Sequence, residues 1–170
     1  MYKNIHNFVP FQHDNQDFKN KLIGFARNQD KIKIEGVFTA TLIYTNLVDY
    51  LATNLFDNLN KMLSIFTFKK FGGVFHLDTS QKRTHLSVGE LQRELSYFEF
   101  PNRNDFLACL EEFRRLRNEV MHNLMGVDPN DTTMKLDKGL ARIAEISEDI
   151  LAKYNVICAG LITIWNNANA

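Results

Sequence analysis

Arg117, Asn118 and His122 place a permanent cation, an amide and an imidazole within the six residues Arg117-Asn118-Glu119-Val120-Met121-His122. Rotating residues 106–125 at about 100° per residue gathers Phe106, Leu110, Phe113, Leu116, Val120 and Leu124, with Cys109, on one helical face. Arg117 falls inside that apolar stripe, whereas Glu112, Arg115 and Glu119 point away from it, as solvated charges do. An arginine keeps its charge, and burying it unpaired is costly. It must therefore snorkel, find a carboxylate or face a cleft. Asp49 is a candidate carboxylate, so a structural ion pair stands beside the functional reading.

His122 lies about 140° around the helix from Arg117, on the flank that also carries Glu111, Arg114 and Asn118. Asn118 and His122 are four residues apart and therefore neighbours on the helix surface. A single helix does not easily aim Arg117 and His122 at one atom. Two copies related by a two-fold axis can, because each flank then meets its mate across a shared groove. If this segment is catalytic, its geometry favours a dimer. His122 also has a plain role, since a protonated imidazole near a helix C-terminus is favoured by about 0.3–1 kcal/mol.

The elements that must position these groups are helical. Asp14 is placed to cap a short helix running to about Arg27, with Phe18, Leu22 and Phe25 on one face. A second helix is predicted from about Lys33 to about Ser64. Its stripe of Val37, Ala40, Tyr44, Leu47, Val48, Leu51, Leu55, Leu59 and Met62 recurs at steps of three and four. Residues 65–86 break this pattern, and Gly72-Gly73 signals a turn within a small hairpin or an ordered loop. Lys69, Lys70, Lys82, Arg83 and His85 make this the most basic stretch.

Ser87 and Glu90 have the spacing of a capping box, which starts a short helix ending near Tyr97. Pro101 separates it from a fourth helix that begins at Asn102 or Asn104 and ends near Met125, before Gly126 and Pro129. The last helix starts near Thr132 or Thr133 and reaches Trp165, with a bend allowed at Gly160. Leu136, Leu140, Ile143, Ile150, Tyr154, Ile157, Leu161 and Ile164 form its stripe. The expected architecture is all-α: an antiparallel bundle of three long and two short helices in one domain spanning residues 1–170.

Composition narrows the function classes. The chain has 170 residues, 45% hydrophobic and 24% charged, which suits one ordinary globular core. Its 14 Phe and only 3 Pro favour a packed helical interior. Twenty cationic and twenty anionic side chains leave a formal net charge of zero. That disfavours tight, non-specific nucleic-acid binding but permits one local basic site, and it leaves little repulsion against self-association. Cys109 and Cys158 read as two buried free thiols. The polar start MYKNIHNFVPFQHD is unlike a signal peptide, and no long uncharged apolar run occurs, so a cytoplasmic protein without a membrane segment is expected.

Other chemistries lack their signatures. None of the five histidines has the i, i+4 partner of a helical zinc site, so no metal is expected. There is no phosphate loop and no nucleophile elbow, and no cofactor is expected. Glu111 and Glu112 diverge on a helix and do not form an acid–base pair.

The Arg117-Asn118-x-x-x-His122 motif, late in an all-helical chain and after LEEFRRL, resembles that of the HEPN superfamily. The likeness spans the helical plan of residues 33–165, although its specific part is six residues. The resemblance implies a dimeric, metal-independent endoribonuclease with the motif lining a cleft at the dimer interface. It implies that His122 is general base or acid toward the ribose 2′-hydroxyl and the leaving oxygen. It gives Arg117 the scissile phosphate, and Asn118 the task of holding His122 or that phosphate. Attack of the 2′-oxygen on phosphorus would leave a cyclic phosphate. Arg114, Arg115, Lys69, Lys70 and Arg83 could supply a local RNA track.

The implied setting is a toxin or defence component with a cognate antitoxin or other protein partner. Some toxin–antitoxin members carry a Tyr two residues after the His. This chain has Leu124 there, so that modification site does not carry over. Two other readings of the same fold stay open: a non-catalytic protein-interaction module, with residues 66–75 as a contact surface, and a nucleotide-binding helical module.

Overall fold

The structure, a computed structural model, describes residues 8–31, 33–71, 86–126 and 133–169, with side chains at 71 and 133–136 not described. Its described part is all-helical. The order is α1 (Gln16–Arg27), α2 (Ile34–Phe71), α3 (Val88–Leu95), α4 (Arg103–Gly126) and α5 (Thr133–Asn169). This is the expected bundle of three long and two short helices.

α2 is the spine. At 38 residues it is about 57 Å long, and it packs against each of the other four helices. Every member of its predicted stripe, from Val37 to Met62, is buried. The helix runs seven residues past the expected end at Ser64, because Ile65 continues the stripe inward and no Pro or Gly intervenes before Phe71. Residues 65–71 are therefore helix rather than the start of a hairpin. The Gly72-Gly73 turn, Lys82, Arg83 and His85 lie outside the described residues.

Two buried hydroxyls in the core are satisfied by their own helices, whereas the Tyr154 hydroxyl finds no hydrogen-bond partner among the described residues. Thr41 Oγ1 donates to the Val37 carbonyl at 2.8 Å, and Ser147 Oγ donates to the Ile143 carbonyl at 2.6 Å.

α1 departs from expectation twice. Asn15, not Asp14, is its cap, the Asn15 side chain accepting the Phe18 N–H at 3.0 Å. The buried face is Lys19, Ile23 and Ala26, while Phe18 and Phe25 are exposed. The reason is a charge that the fold accommodates. Lys19 is fully buried, donates to Asp14 Oδ2 at 2.6 Å and Asn155 Oδ1 at 3.4 Å, and lies 4.8 Å from the centroid of the Tyr154 ring. A paired, ring-stacked ammonium can be buried where an unpaired one cannot. The small Ala26 then lets α1 approach closely.

α3 carries the capping box that its sequence announced, with Ser87 and Glu90 bonding reciprocally, and it ends at Leu95. α4 and α5 form the most extensive pair. A Cβ added at Gly139 would lie 2.6 Å from Val120 Cγ2, so glycine there lets α5 pass close to the turn of α4 that carries Arg117. α5 continues through Gly160 without interruption. Cys158 is buried as expected, but Cys109 is only partly buried. Its Sγ lies 3.2 Å from Asp149 Oδ2, and burial together with that carboxylate pushes the thiol up to about 11, away from thiolate chemistry. Among the described residues no helix is long and apolar enough to cross a membrane.

Candidate anion-binding groove between α3 and α4

The apolar stripe of α4, Phe106, Leu110, Phe113, Leu116 and Val120, is buried and fixes the rotation of the helix. Arg117 follows Leu116 and turns out of the core between α2 and α3. α3 lies across α4 at this level. Gln92 Nε2 donates to the Leu107 carbonyl at 3.3 Å, and a Cβ at Gly89 would stand 3.4 Å from Arg114 Cδ. The N-terminus of α3 therefore opens beside Arg114, Arg117 and Asn118.

These elements enclose a groove of about 330 Å³. One wall is the first turn of α3, with Ser87, Gly89 and Glu90, and Arg93 one turn on. The other wall is Arg114, Arg117 and Asn118. The N–H groups of Val88 and Gly89 begin a helix and so have no intrahelical acceptor. They add the positive end of the helix dipole to three guanidinium groups.

Three carboxylates temper this charge, the first being Glu94, whose Oε1 lies 3.7 Å from Arg93 Nη2. Glu90 accepts from Ser87 N at 2.8 Å and from Ser87 Oγ at 2.9 Å, and these bonds hold its carboxyl below the ordinary glutamate value of 4.5. Glu111 accepts from Arg114 Nη2 at 2.5 Å and Nε at 3.0 Å, which lowers Glu111 and raises Arg114.

Arg117 is different. Among the described residues it has no carboxylate within ion-pair distance. It donates instead to its neighbour's amide oxygen, Asn118 Oδ1, through Nη2 at 2.8 Å and Nε at 3.2 Å. That leaves Nη1 unengaged by these two bonds. Asp49 on α2 lies near enough for the guanidinium to lower its carboxyl, but burial raises it more, so its net shift is upward. Asp49 Oδ1 is sealed from solvent and accepts no hydrogen bond among the described residues. The charge of Arg117 is thus partly balanced at a distance while its fork faces an open groove. Of the three fates open to Arg117 in the sequence, the structure combines the cleft with a loosely associated carboxylate.

The other sequence candidates are dispersed. His122 is exposed one turn beyond Asn118 and does not line the groove. Lys69 and Lys70 are exposed on the last turn of α2, about 30 Å along its axis from Asp49. Lys69 hydrogen-bonds Asn169 and lies over the Trp165 ring at 5.9 Å. Arg83 is outside the described residues. Arg114 alone among the proposed RNA contacts shares the groove with Arg117 and Asn118. Arg93 was missed in the sequence, although its position three residues after Glu90 places it on the same side of α3. No group of three or more histidine, cysteine or carboxylate side chains suited to a metal ion occurs among the described residues.

A second, larger cavity of about 540 Å³ runs along the outer face of α2 beneath residues 8–13. Its lining was not anticipated. Asn46, Asp49, Thr53, Asp57 and Lys61 recur at steps of three and four, a polar stripe opposite the apolar one.

Compared with known proteins, the chain matches no family model, and no curated protein or solved structure is significantly similar to it.

Proposed function

We propose that this chain is a metal-independent endoribonuclease of HEPN-like type, which holds a phosphate of RNA in the groove between α3 and α4. The observation that carries this reading is Arg117, a guanidinium with no carboxylate within ion-pair distance among the described residues, facing a groove beside the N-terminus of α3 and two further arginines. Planar guanidinium groups bind phosphate through paired N–H donors, and a helix N-terminus adds backbone N–H groups to the same anion.

The chemistry follows from that placement and from the resemblance of the motif. The ribose 2′-oxygen attacks the adjacent phosphorus, and the bond to the 5′-oxygen breaks. A 2′,3′-cyclic phosphate and a free 5′-hydroxyl result. One imidazole takes the 2′-proton or supplies the proton that the leaving oxygen needs. Arg117 stabilises the charge that builds on the phosphoryl oxygens.

On this reading the imidazole is His122 of a second copy and the active species a homodimer, which the exposure of the same protomer's His122 outside the groove supports. On the same reading the chain acts in the cytoplasm as a toxin or defence component, restrained by a cognate antitoxin or other protein partner. The test is cleavage of single-stranded and structured RNA with chelator present, alongside Arg117→Ala and His122→Ala. Cleavage that resists chelator and is lost in both variants supports the reading. Its absence in a folded wild-type dimer defeats it.

A second reading has its own observation. Asp49 near Arg117, and the clasp of Arg117 on Asn118, also suit a structural charge in a non-catalytic interaction or nucleotide-binding module. In that case Arg117→Ala would lower stability while RNA remained uncut throughout.

A further inference from the structure

The cavity on the outer face of α2 belongs to a different chemistry from the groove. It has a built wall. Phe11 N–H donates to Asn58 Oδ1 at 2.8 Å, and Asn58, only 7% exposed, is in turn held by Asn54. Phe11 adopts φ 59, a left-handed conformation unusual for a phenylalanine, and packs edge-on against Tyr154 at 6.1 Å. Residues 8–13 are thereby fixed over the polar stripe of α2 rather than merely lying near it.

The lining has three parts, beside two basic side chains, His13 and Lys61. Asp49 and Asp57 stand eight residues apart, about 12 Å along the helix axis. Neither has an ion pair within 4 Å among the described residues. Partial desolvation by the cavity walls raises both carboxyls, although Asp57 is exposed, and Arg117 and Lys61 offset this only in part. Between and beside them lie neutral acceptors, the Asn46 amide and the Thr53 hydroxyl. Facing them is an apolar edge from the half-buried Phe8 and the exposed Val9, backed by the buried Phe11.

Two separated anionic points, neutral acceptors between them and an apolar wall match one ligand chemistry. We propose that this cavity binds an elongated aliphatic polyamine, with terminal ammonium groups at Asp49 and Asp57 and methylenes against Phe8 and Val9. Each ammonium gains a carboxylate that no cation among the described residues pairs within 4 Å, and aromatic faces favour cations in addition. The methylene segments remove apolar surface from water on both sides. Lys61 is exposed at the rim and turns toward solvent when an amine reaches Asp57. The site disfavours anions, since a phosphate here would lie between two carboxylates. It therefore stands independently of the ribonuclease reading. The span selects for length: a triamine of spermidine size reaches both carboxylates, whereas putrescine engages one at a time.

Titration calorimetry of the full chain at physiological ionic strength tests this, with spermidine and putrescine as probes. Asp57→Asn is near-isosteric at an exposed position, and Glu145→Gln removes the same charge from an exposed site on α5. The expected result is saturable one-to-one spermidine binding. It is weakened about tenfold for putrescine and about tenfold by Asp57→Asn, and it is unchanged by Glu145→Gln. Absence of saturable binding overturns the proposal. So does equal affinity for the two amines, or equal loss in the two variants, either of which would mark general charge attraction.

Discussion

The groove at the start of α3 and the cavity along α2 lie on either side of the Asp49–Arg117 pair, yet their electrostatics are opposed. The groove gathers three guanidiniums and a helix N-terminus against Glu90, Glu94 and Glu111. The cavity presents Asp49 and Asp57 among amides and hydroxyls, with Lys61 at its rim. A chain with equal numbers of cationic and anionic side chains is thus locally polarised. Net charge describes long-range attraction and solubility, whereas a site is set by the few charges its walls bring together. Zero net charge is no argument against a phosphate site built from three arginines.

The largest test of this contrast is catalytic. On the proposed ribonuclease reading, His122→Ala is expected to lower the cleavage rate by about 10²–10⁴-fold, as loss of a proton-transfer group does. Arg117→Ala is expected to lower it by about 10²–10³-fold, through lost stabilisation of the phosphoryl charge. Single-turnover cleavage assays read both.

Salt gives the next largest effect. If the proposed reading holds and the groove's three arginines each neutralise a phosphate, log affinity for single-stranded RNA falls with log salt at a slope of about −2. A filter-binding or anisotropy series with Arg93→Ala and Arg114→Ala should flatten that slope stepwise. A slope near zero would separate the groove from RNA.

Ser87→Ala sharpens the role of the α3 terminus. Loss of the cap is expected to cost about 0.5–2 kcal/mol of stability, measured by denaturant titration, and to weaken RNA binding as the wall loosens.

The smallest effect concerns Asp49, and its sign is definite. Burial raises its carboxyl above the ordinary 3.8, so the folded state disfavours the ionised form. The associated stability is full below 3.8 and is lost as pH rises through the raised value. Asp49→Asn should therefore match the wild type at low pH and become relatively more stable toward neutrality, by under about 1 kcal/mol. Denaturant titrations at several pH values check this, and a variant less stable at neutral pH than at low pH, relative to wild type, would give Asp49 a net attractive role with Arg117.

Much of this arrangement was legible in the sequence. The apolar stripe of α2 and the capping box of α3 follow from periodicity and spacing, because each depends on residues three or four apart. The anomaly of Arg117 was visible for the same reason, as a charge on an otherwise apolar face. What escaped depended on contacts between distant segments. Lys19 is buried because Asp14 and Tyr154 meet it, and no local pattern of α1 announces that; the stronger apolar signal of Phe18, Leu22 and Phe25 pointed to the wrong face. The groove needed α3 to cross α4, which no periodicity within either helix encodes. The α2 cavity left a trace, the polar stripe from Asn46 to Lys61, but such a stripe ordinarily faces water, and only the fixing of Phe11 over it makes a cavity.

Whether two protomers share one site is the central question, and mixing the two inactive variants answers it most directly. Arg117→Ala and His122→Ala proteins are unfolded together, refolded, and assayed on RNA with chelator present. If Arg117 of one copy works with His122 of its mate, half of the dimers are mixed and each has one intact site, so activity returns to about a quarter of wild type. Activity that stays at the level of either variant alone, in a preparation proven to contain mixed dimers, would contradict a site shared across the two-fold axis.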